Sequence, residues 1–158
     1  MKYISPRNIS KVFETYSFNI KKDSIKLADS DMYNIYIGET KVGQIILSEN
    51  ELSYIGIEKD LKSDKIIYIS YITIDEEHRR KKLLTKTLKW LVSQSEGKYD
   101  YIVLRIDMDS EISFETLKSI YSKYGFVPFT PKDIDEHKYG FTYKEGEDNF
   151  MYYDMNKT

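Results

Sequence analysis

The densest run of positive charge in this chain is Arg79-Arg80-Lys81-Lys82, with Lys86 and Lys89 following at helical spacing. It follows the apolar run Ile66 to Ile74 after the short polar turn Asp75 to His78. Directly behind it, Leu84, Leu88 and Leu91 recur at i, i+4 and i+7 with Val92 beside them. Basic side chains at a helix start oppose the helix dipole and cost stability unless an anion shares the site. A phosphate or pyrophosphate would be held there by free backbone N–H groups and positive side chains together. Taken alone, the four basic residues also fit a solvated helix start, which is what charge runs usually are.

Other chemistries find less to work with. The chain has no cysteine, which removes disulfides, thiolate metal sites and a cysteine nucleophile. His78 and His137 are isolated, without a His-x-x-x-His spacing, and read as surface residues rather than metal ligands. Asp109 and Glu111 could pair for acid–base work, but carboxylates near a helix N-terminus more often cap it. There is no Gly-x-Ser-x-Gly element, no phosphate-binding P-loop and no dinucleotide fingerprint. Net charge is −2, so the basic footprint of a nucleic-acid partner is missing. No aromatic and basic surround accompanies the Arg79–Lys82 cluster either. The start, Met1-Lys2-Tyr3-Ile4-Ser5-Pro6, lacks the apolar stretch of a signal peptide, and no later run could cross a bilayer. The expectation is a cytoplasmic protein with no membrane partner.

The elements that must position the cluster follow from periodicity. The 158 residues suit one domain, 1–158, and carry no repeat, low-complexity tract or linker. Ser5-Pro6 can open a short helix to about residue 16, and Ser24 to Ala28 has the character of a strand. Tyr33 to Ile37 and Val42 to Leu47 flank Gly38-Glu39-Thr40 as a hairpin. Leu52, Tyr54 and Ile57 suggest a third strand, and Asp60 to Asp64 a loop. Lys65 to Ile74 reads as a central strand covered on both faces. The helix with the leucine stripe stops near Gly97, and Tyr101 to Ile106 is another strand. Ser113 caps a helix carrying Phe114, Leu117, Ile120, Tyr121 and Tyr124, closed by Gly125. A Pro/Asp/Lys-rich loop precedes strands near Phe141–Tyr143 and Phe150–Met155. A meander, then strand–helix–strand–helix, then closing strands, predicts an α/β or α+β sheet covered by helices. The 15 tyrosines suit a β-rich core and sheet surface.

The stretch Ile72-Thr73-Ile74-Asp75-Glu76-Glu77-His78-Arg79-Arg80-Lys81-Lys82-Leu83-Leu84-Thr85 resembles the signature of the GCN5-related N-acetyltransferases. There a strand and a short turn lead to Arg/Gln-x-x-Gly-x-Gly/Ala at a helix start. Arg79 fits the first position, while Lys82 and Leu84 replace the two small residues. A second match is Leu117-Lys118-Ser119-Ile120-Tyr121-Ser122-Lys123-Tyr124-Gly125-Phe126, similar to the family's x-x-Leu-Tyr-Glu-Lys-x-Gly-Phe segment. Val42-Gly43-Gln44-Ile45 resembles its early hairpin and Phe150-Met151-Tyr152-Tyr153 its closing strand. The likeness runs from about Met32 to Met155 and leaves residues 1–31 unmatched.

That resemblance implies a mixed, mostly antiparallel twisted sheet with helices on both faces. It implies an N-acetyltransferase that moves an acetyl group from acetyl-CoA to a primary amine on a small molecule or protein. The cofactor-binding residues it implies are Ile72, Thr73, Ile74, Arg79, Arg80, Lys81, Lys82, Leu83, Leu84 and Thr85. It also places Tyr121 where a tyrosine protonates the departing thiolate, although packing alone would account for that residue. Asp107 at a strand end is the candidate base. Acceptor selection would fall to residues 17–31 and 128–149. The replaced small residues leave a second reading open: an inactive module of the same fold that binds a protein. The oligomeric state, monomer or homodimer, is not encoded in these patterns.

Overall fold

The computed structural model describes residues 18–49, 57–106, 112–130 and 149–157. The expected helix at 6–16, the strand near Phe141–Tyr143, and the segments holding Asp107, Asp109, Glu111 and His137 lie outside them. The described elements begin with β1 (Phe18–Lys26), β2 (Ser30–Ile37) and β3 (Thr40–Ser48), followed by a short helix, α1 (Ile57–Leu61). Next come β4 (Ile66–Ile74), a 3₁₀ turn (Glu76–Lys81), α2 (Leu83–Ser95) and β5 (Tyr101–Arg105). Helix α3 (Phe114–Tyr124), β6 (Val127–Phe129) and β7 (Phe150–Asp154) complete the order.

All seven strands form one sheet in the order β1-β2-β3-β4-β5-β7-β6. Each neighbouring pair is antiparallel except β4 and β5, which run parallel from Ile66↔Tyr101 to Ile69↔Leu104. A parallel pair needs a crossover, and α2 supplies it. The β2–β3 hairpin closes on Gly38-Glu39, with Ile37 paired to Thr40. Gly38 takes φ +60°, the positive value that the first position of a tight hairpin turn demands.

The core lies in two layers. On one face Ile45, Leu47, Ile67, Ile69, Ile102 and Leu104 pack against Leu88 and Leu91 of α2 and Leu117 and Tyr121 of α3. On the other, Ile66, Tyr68, Val103 and Phe150 pack against Ile57, with Leu61 partly buried beside them. Helices therefore cover both faces of the sheet.

Several expectations change. Strand β1 starts at Phe18, well before Ser24, because Phe18 to Lys22 pairs residue by residue with Ile37 to Tyr33. Of the expected strand Leu52, Tyr54 and Ile57, the first two lie outside the described residues, and Ile57 opens a helix. With Leu61 it forms an i, i+4 pair on the second core layer, a helical spacing that alternation obscured. Val127–Phe129, set in a loop by composition, forms an edge strand on β7. Pro128 is tolerated there because an edge strand leaves one side unpaired.

Helix α3 ends as its sequence predicts. Ser113 Oγ accepts the Thr116 N–H at 3.2 Å. At the other end the Phe126 N–H reaches Tyr121 O at 3.0 Å and the Gly125 N–H reaches Ser122 O at 3.1 Å. That bond pair is a Schellman motif, with the Phe126 ring against Tyr121 as its apolar contact. Gly125 sits at φ +127°. Ser113→Ala should lower stability by about 1 kcal/mol in urea unfolding, because it orphans one helix-start donor.

Candidate functional site

The site begins with one extra residue. Ile46 pairs with Tyr71 and Leu47 with Ile69, so Ser70 has no counterpart on β3 and forms a β-bulge in β4. A bulge bends its strand and shifts the side-chain alternation by one. Ile67 and Ile69 face α2 before it; Ile72 and Ile74 face the same side after it. Tyr71 is turned outward and is 49% exposed. The run Ile66–Ile74 is thus covered on both faces only in its first half, a correction to the expectation that both faces were covered throughout.

The bend separates β4 from β5. Their pairing stops at Ile69↔Leu104. Beyond that point β5 follows β7, through Arg105↔Phe150 and a 2.7 Å bond from the Ile106 N–H to Asn149 O. Strand β4 instead stays with β3 to its end, where the Asp75 N–H donates to Val42 O at 2.7 Å. Beyond Ile69↔Leu104 the two parallel strands no longer pair among the described residues, and that parting is the gap between them. Alternation in an antiparallel ladder fixes which groups look into it. Asp75 and Thr73 direct their backbone groups at β3, so those of Ile72 and Ile74 point into the gap. Of the three strand residues proposed to line a ligand, only these two aim their amides there.

At the mouth of the gap the basic cluster is arranged differently from the sequence expectation. Arg79, Arg80 and Lys81 lie in the 3₁₀ turn, not in the first turn of α2. Arg79 folds back, its Nε donating to Ile74 O at 3.1 Å. Lys82 stands between the two helical segments at φ +56°, ψ +27°, in the left-handed region. It is therefore not part of a Lys82–Lys86–Lys89 helical stripe. Lys86 lies with its Nζ 5.8 Å from the Phe18 ring centroid, leaning toward β1, and Lys89 is exposed.

The reversal at Lys82 delivers α2 onto the end of β4. Leu83 is buried against Ile35, Val42 and Ile74, which fixes the helix start in place. The first intrahelical bond runs from the Lys86 N–H to Lys82 O at 3.0 Å. The amides of Leu83, Leu84 and Thr85 precede it and so have no intrahelical acceptor. Lys82 supplies no side-chain cap and the first turn holds no acidic residue. Leu83 and Leu84 can contribute only backbone here, since Leu83 is 1% exposed and Leu84 packs on the main core. Thr85 is exposed.

Position 82 is where the resemblance to the acetyltransferase signature puts its first small residue, and the backbone there is left-handed. Left-handed φ costs a residue with a Cβ about 1–2 kcal/mol, a cost absent in glycine. Lys82→Gly should raise stability by about 0.5–1 kcal/mol once the greater freedom of an unfolded glycine is set against that gain. Urea unfolding of both proteins checks it, and a loss of stability would mean that the Lys82 side chain supports the fold.

Tyr121 joins the same buried cluster as Ile69 and Leu104, the last β4–β5 pair before the gap. It is 4% exposed and packs edge-on to Phe126, centroids 5.6 Å apart. Burial pushes its phenol well above the ordinary tyrosine value, so the ring carries its proton. His78, read as a surface residue, is half-buried, and its Nδ1 is buried without a hydrogen-bond partner among the described residues. Nothing in the sequence signalled the Ser70 bulge or the use of Arg79 on the Ile74 carbonyl.

This mixed, mostly antiparallel sheet covered by helices has the fold of the GCN5-related N-acetyltransferases. An IAA acetyltransferase from Bacillus cereus superposes with a TM-score of 0.57 at 16% identity, over 87% of this chain and 99% of its own. A GNAT family acetyltransferase from Elizabethkingia anophelis, solved with acetyl-CoA bound, gives a TM-score of 0.59 at 12% identity, over 88% and 99%. A Bacillus subtilis acetyltransferase in complex with CoA gives a TM-score of 0.59 at 14% identity, over 87% and 98%. No protein-family model and no curated protein matches the sequence.

Proposed function

We propose that this chain is an acetyl-CoA-dependent N-acetyltransferase of the GCN5-related group, acting on a primary amine. The observation that carries the reading is the gap beyond Ile69/Leu104, with the Ile72 and Ile74 backbone facing into it and the uncapped start of α2 at its mouth. The gap suits an extended pantetheine arm, which carries amides that extend the β4 ladder. The helix start suits a pyrophosphate, through the amides of Leu83, Leu84 and Thr85 and the positive charge of Lys82. Solved proteins of this fold that carry acetyl-CoA or CoA support the choice of ligand.

The chemistry follows from acyl transfer. A neutral amine nitrogen attacks the thioester carbonyl carbon, and negative charge grows on the carbonyl oxygen. A strand N–H directed into the gap is placed to donate to that oxygen. The carbon–sulfur bond then breaks, and the thiolate takes the phenolic proton of Tyr121 while the nitrogen gives up its own to solvent. Burial keeps Tyr121 protonated, so the phenol serves as a donor and not as a base.

Calorimetric titration with acetyl-CoA tests the reading, with CoA analogues lacking the 3′-phosphate or the pyrophosphate alongside. Saturable binding that weakens in the analogues is the expected result. The inactive protein-binding module is favoured by one observation: Arg79 already occupies the Ile74 carbonyl at the gap. Absence of binding at millimolar acetyl-CoA, restored by Lys82→Gly, would mean that the natural protein has lost the cofactor and would turn the search to protein partners.

A further inference from the structure

Far from the gap, a cavity of about 480 Å³ opens between the start of β2, the end of β3 and the C-terminal half of α2. Helix α2 is 13 residues long, so its two ends stand about 20 Å apart. The gap lies at the Lys82 end and this cavity at the Trp90–Ser95 end. Its floor is apolar, made by buried Leu47, Ile67 and Leu91. Its wall is aromatic: Tyr33 and Trp90 meet edge to face, centroids 5.0 Å apart, and Tyr99 stands beside them. Among the described residues, Asp29, Asp31 and Glu49 supply three carboxylates to the lining against the ammonium of Lys98.

Among the described residues little neutralises that charge. Glu49 accepts a hydrogen bond from the Tyr99 hydroxyl, which leaves its charge in place. Asp31 pairs with Lys22 at 3.3 Å, but both side chains are more than half exposed, so the bridge is weak. Glu49 and Asp31 both act on the Tyr99 hydroxyl of the aromatic wall. Burial raises the Tyr99 phenol far above its ordinary value, and Glu49, Tyr33 and Asp31 push it the same way. Burial disfavours charge of either sign, but the push from Glu49 and Asp31 is one that favours a positive group. Ring faces and carboxylates together recognise an organic cation, the rings by cation–π attraction and the carboxylates by charge-assisted hydrogen bonds.

We propose that this cavity is a second binding site, separate from the acyl-transfer gap, for a small organic cation with an ammonium or guanidinium head on an apolar or aromatic body. The head sits among Asp29, Asp31 and Glu49, and the body lies against Trp90 on the leucine and isoleucine floor.

Trp90 is the chain's one tryptophan, so its fluorescence reports on this cavity directly. The full chain is titrated with benzylamine and with its neutral counterpart, benzyl alcohol. Benzylamine should give a saturable emission change with a Kd below about 1 mM, and benzyl alcohol should bind about tenfold more weakly or worse. The exposed double substitution Asp31→Asn with Glu49→Gln should weaken benzylamine about tenfold while leaving the fold intact, as checked by circular dichroism. The proposal is overturned if no saturable change occurs up to about 10 mM, if the alcohol binds as well as the amine, or if the double variant binds benzylamine unchanged. None of the groups involved belongs to the acyl-transfer gap, so the result stands whether or not acetyl-CoA binds.

Discussion

Tyr121→Phe should lower turnover with acetyl-CoA and an amine by about 10²-fold or more while acetyl-CoA affinity stays within about twofold, as expected when a general acid is lost. The substitution removes one oxygen and keeps the ring, so the packing against Phe126 and the closing turn of α3 survive. A stability change of no more than about 1 kcal/mol separates the chemical effect from a folding defect. Steady-state kinetics beside calorimetry provide both readings. Unchanged turnover would leave Tyr121 as a core tyrosine only. The pH dependence carries a second check. Because burial raises the phenol in the folded state alone, the native protein keeps this proton after the unfolded chain has released it. Stability supported by the neutral ring is therefore complete below the ordinary tyrosine value, about 10, and falls as the pH climbs beyond it. Tyr121→Phe should flatten that alkaline loss.

Gly43→Ala should be the most damaging single-methyl change in the sheet, costing about 3 kcal/mol and lowering the thermal midpoint by several degrees. A Cβ at position 43 would stand 2.2 Å from Thr73 O and 3.1 Å from Ile74 Cδ1. The first neighbour is backbone and cannot rotate away. Relief requires β3 and β4 to separate at the Gly43↔Ile74 pair, beside the strand end that opens into the gap. The same variant should thus lose acetyl-CoA binding more than its stability alone would explain. Equilibrium unfolding and a ligand titration below the midpoint measure the two effects separately. A stability within about 0.5 kcal/mol of the parent would show that the strands can part without cost at this point.

Much of the framework is written locally in the chain. The hairpin at Gly38-Glu39, the cap at Ser113 and the closure at Gly125 each depend on residues within a few positions of one another. Their turn and cap chemistry fixes them wherever they occur. The leucine stripe of α2 and the strand Tyr101 to Arg105 are equally plain, since their periodicity records the faces that become buried. The basic run between Ile74 and Leu83 marked a helix start. Its position in the chain did not reveal that three of its residues form a separate 3₁₀ turn and that the fourth reverses the backbone.

What only the tertiary structure decided is the geometry between strands. The Ser70 bulge arises from pairing with β3, more than 20 positions earlier, and leaves no trace in the alternation of an almost wholly apolar run. That one extra residue in the β4 register turns Ile72 and Ile74 to the side of Ile67 and Ile69, and accompanies the parting of β4 from β5 that directs two backbone amides into the gap. Ile57 and Leu61 became a helix because the second face of the sheet needed covering, a demand no local pattern states. The carboxylates beside Trp90 likewise come from two segments, Asp29 to Asp31 and Glu49, that meet the helix only in the fold. Local sequence sets the elements because caps, turns and periodicity act over a few residues. Pairing register and splay set the sites because they depend on backbone groups brought together from distant parts of the chain.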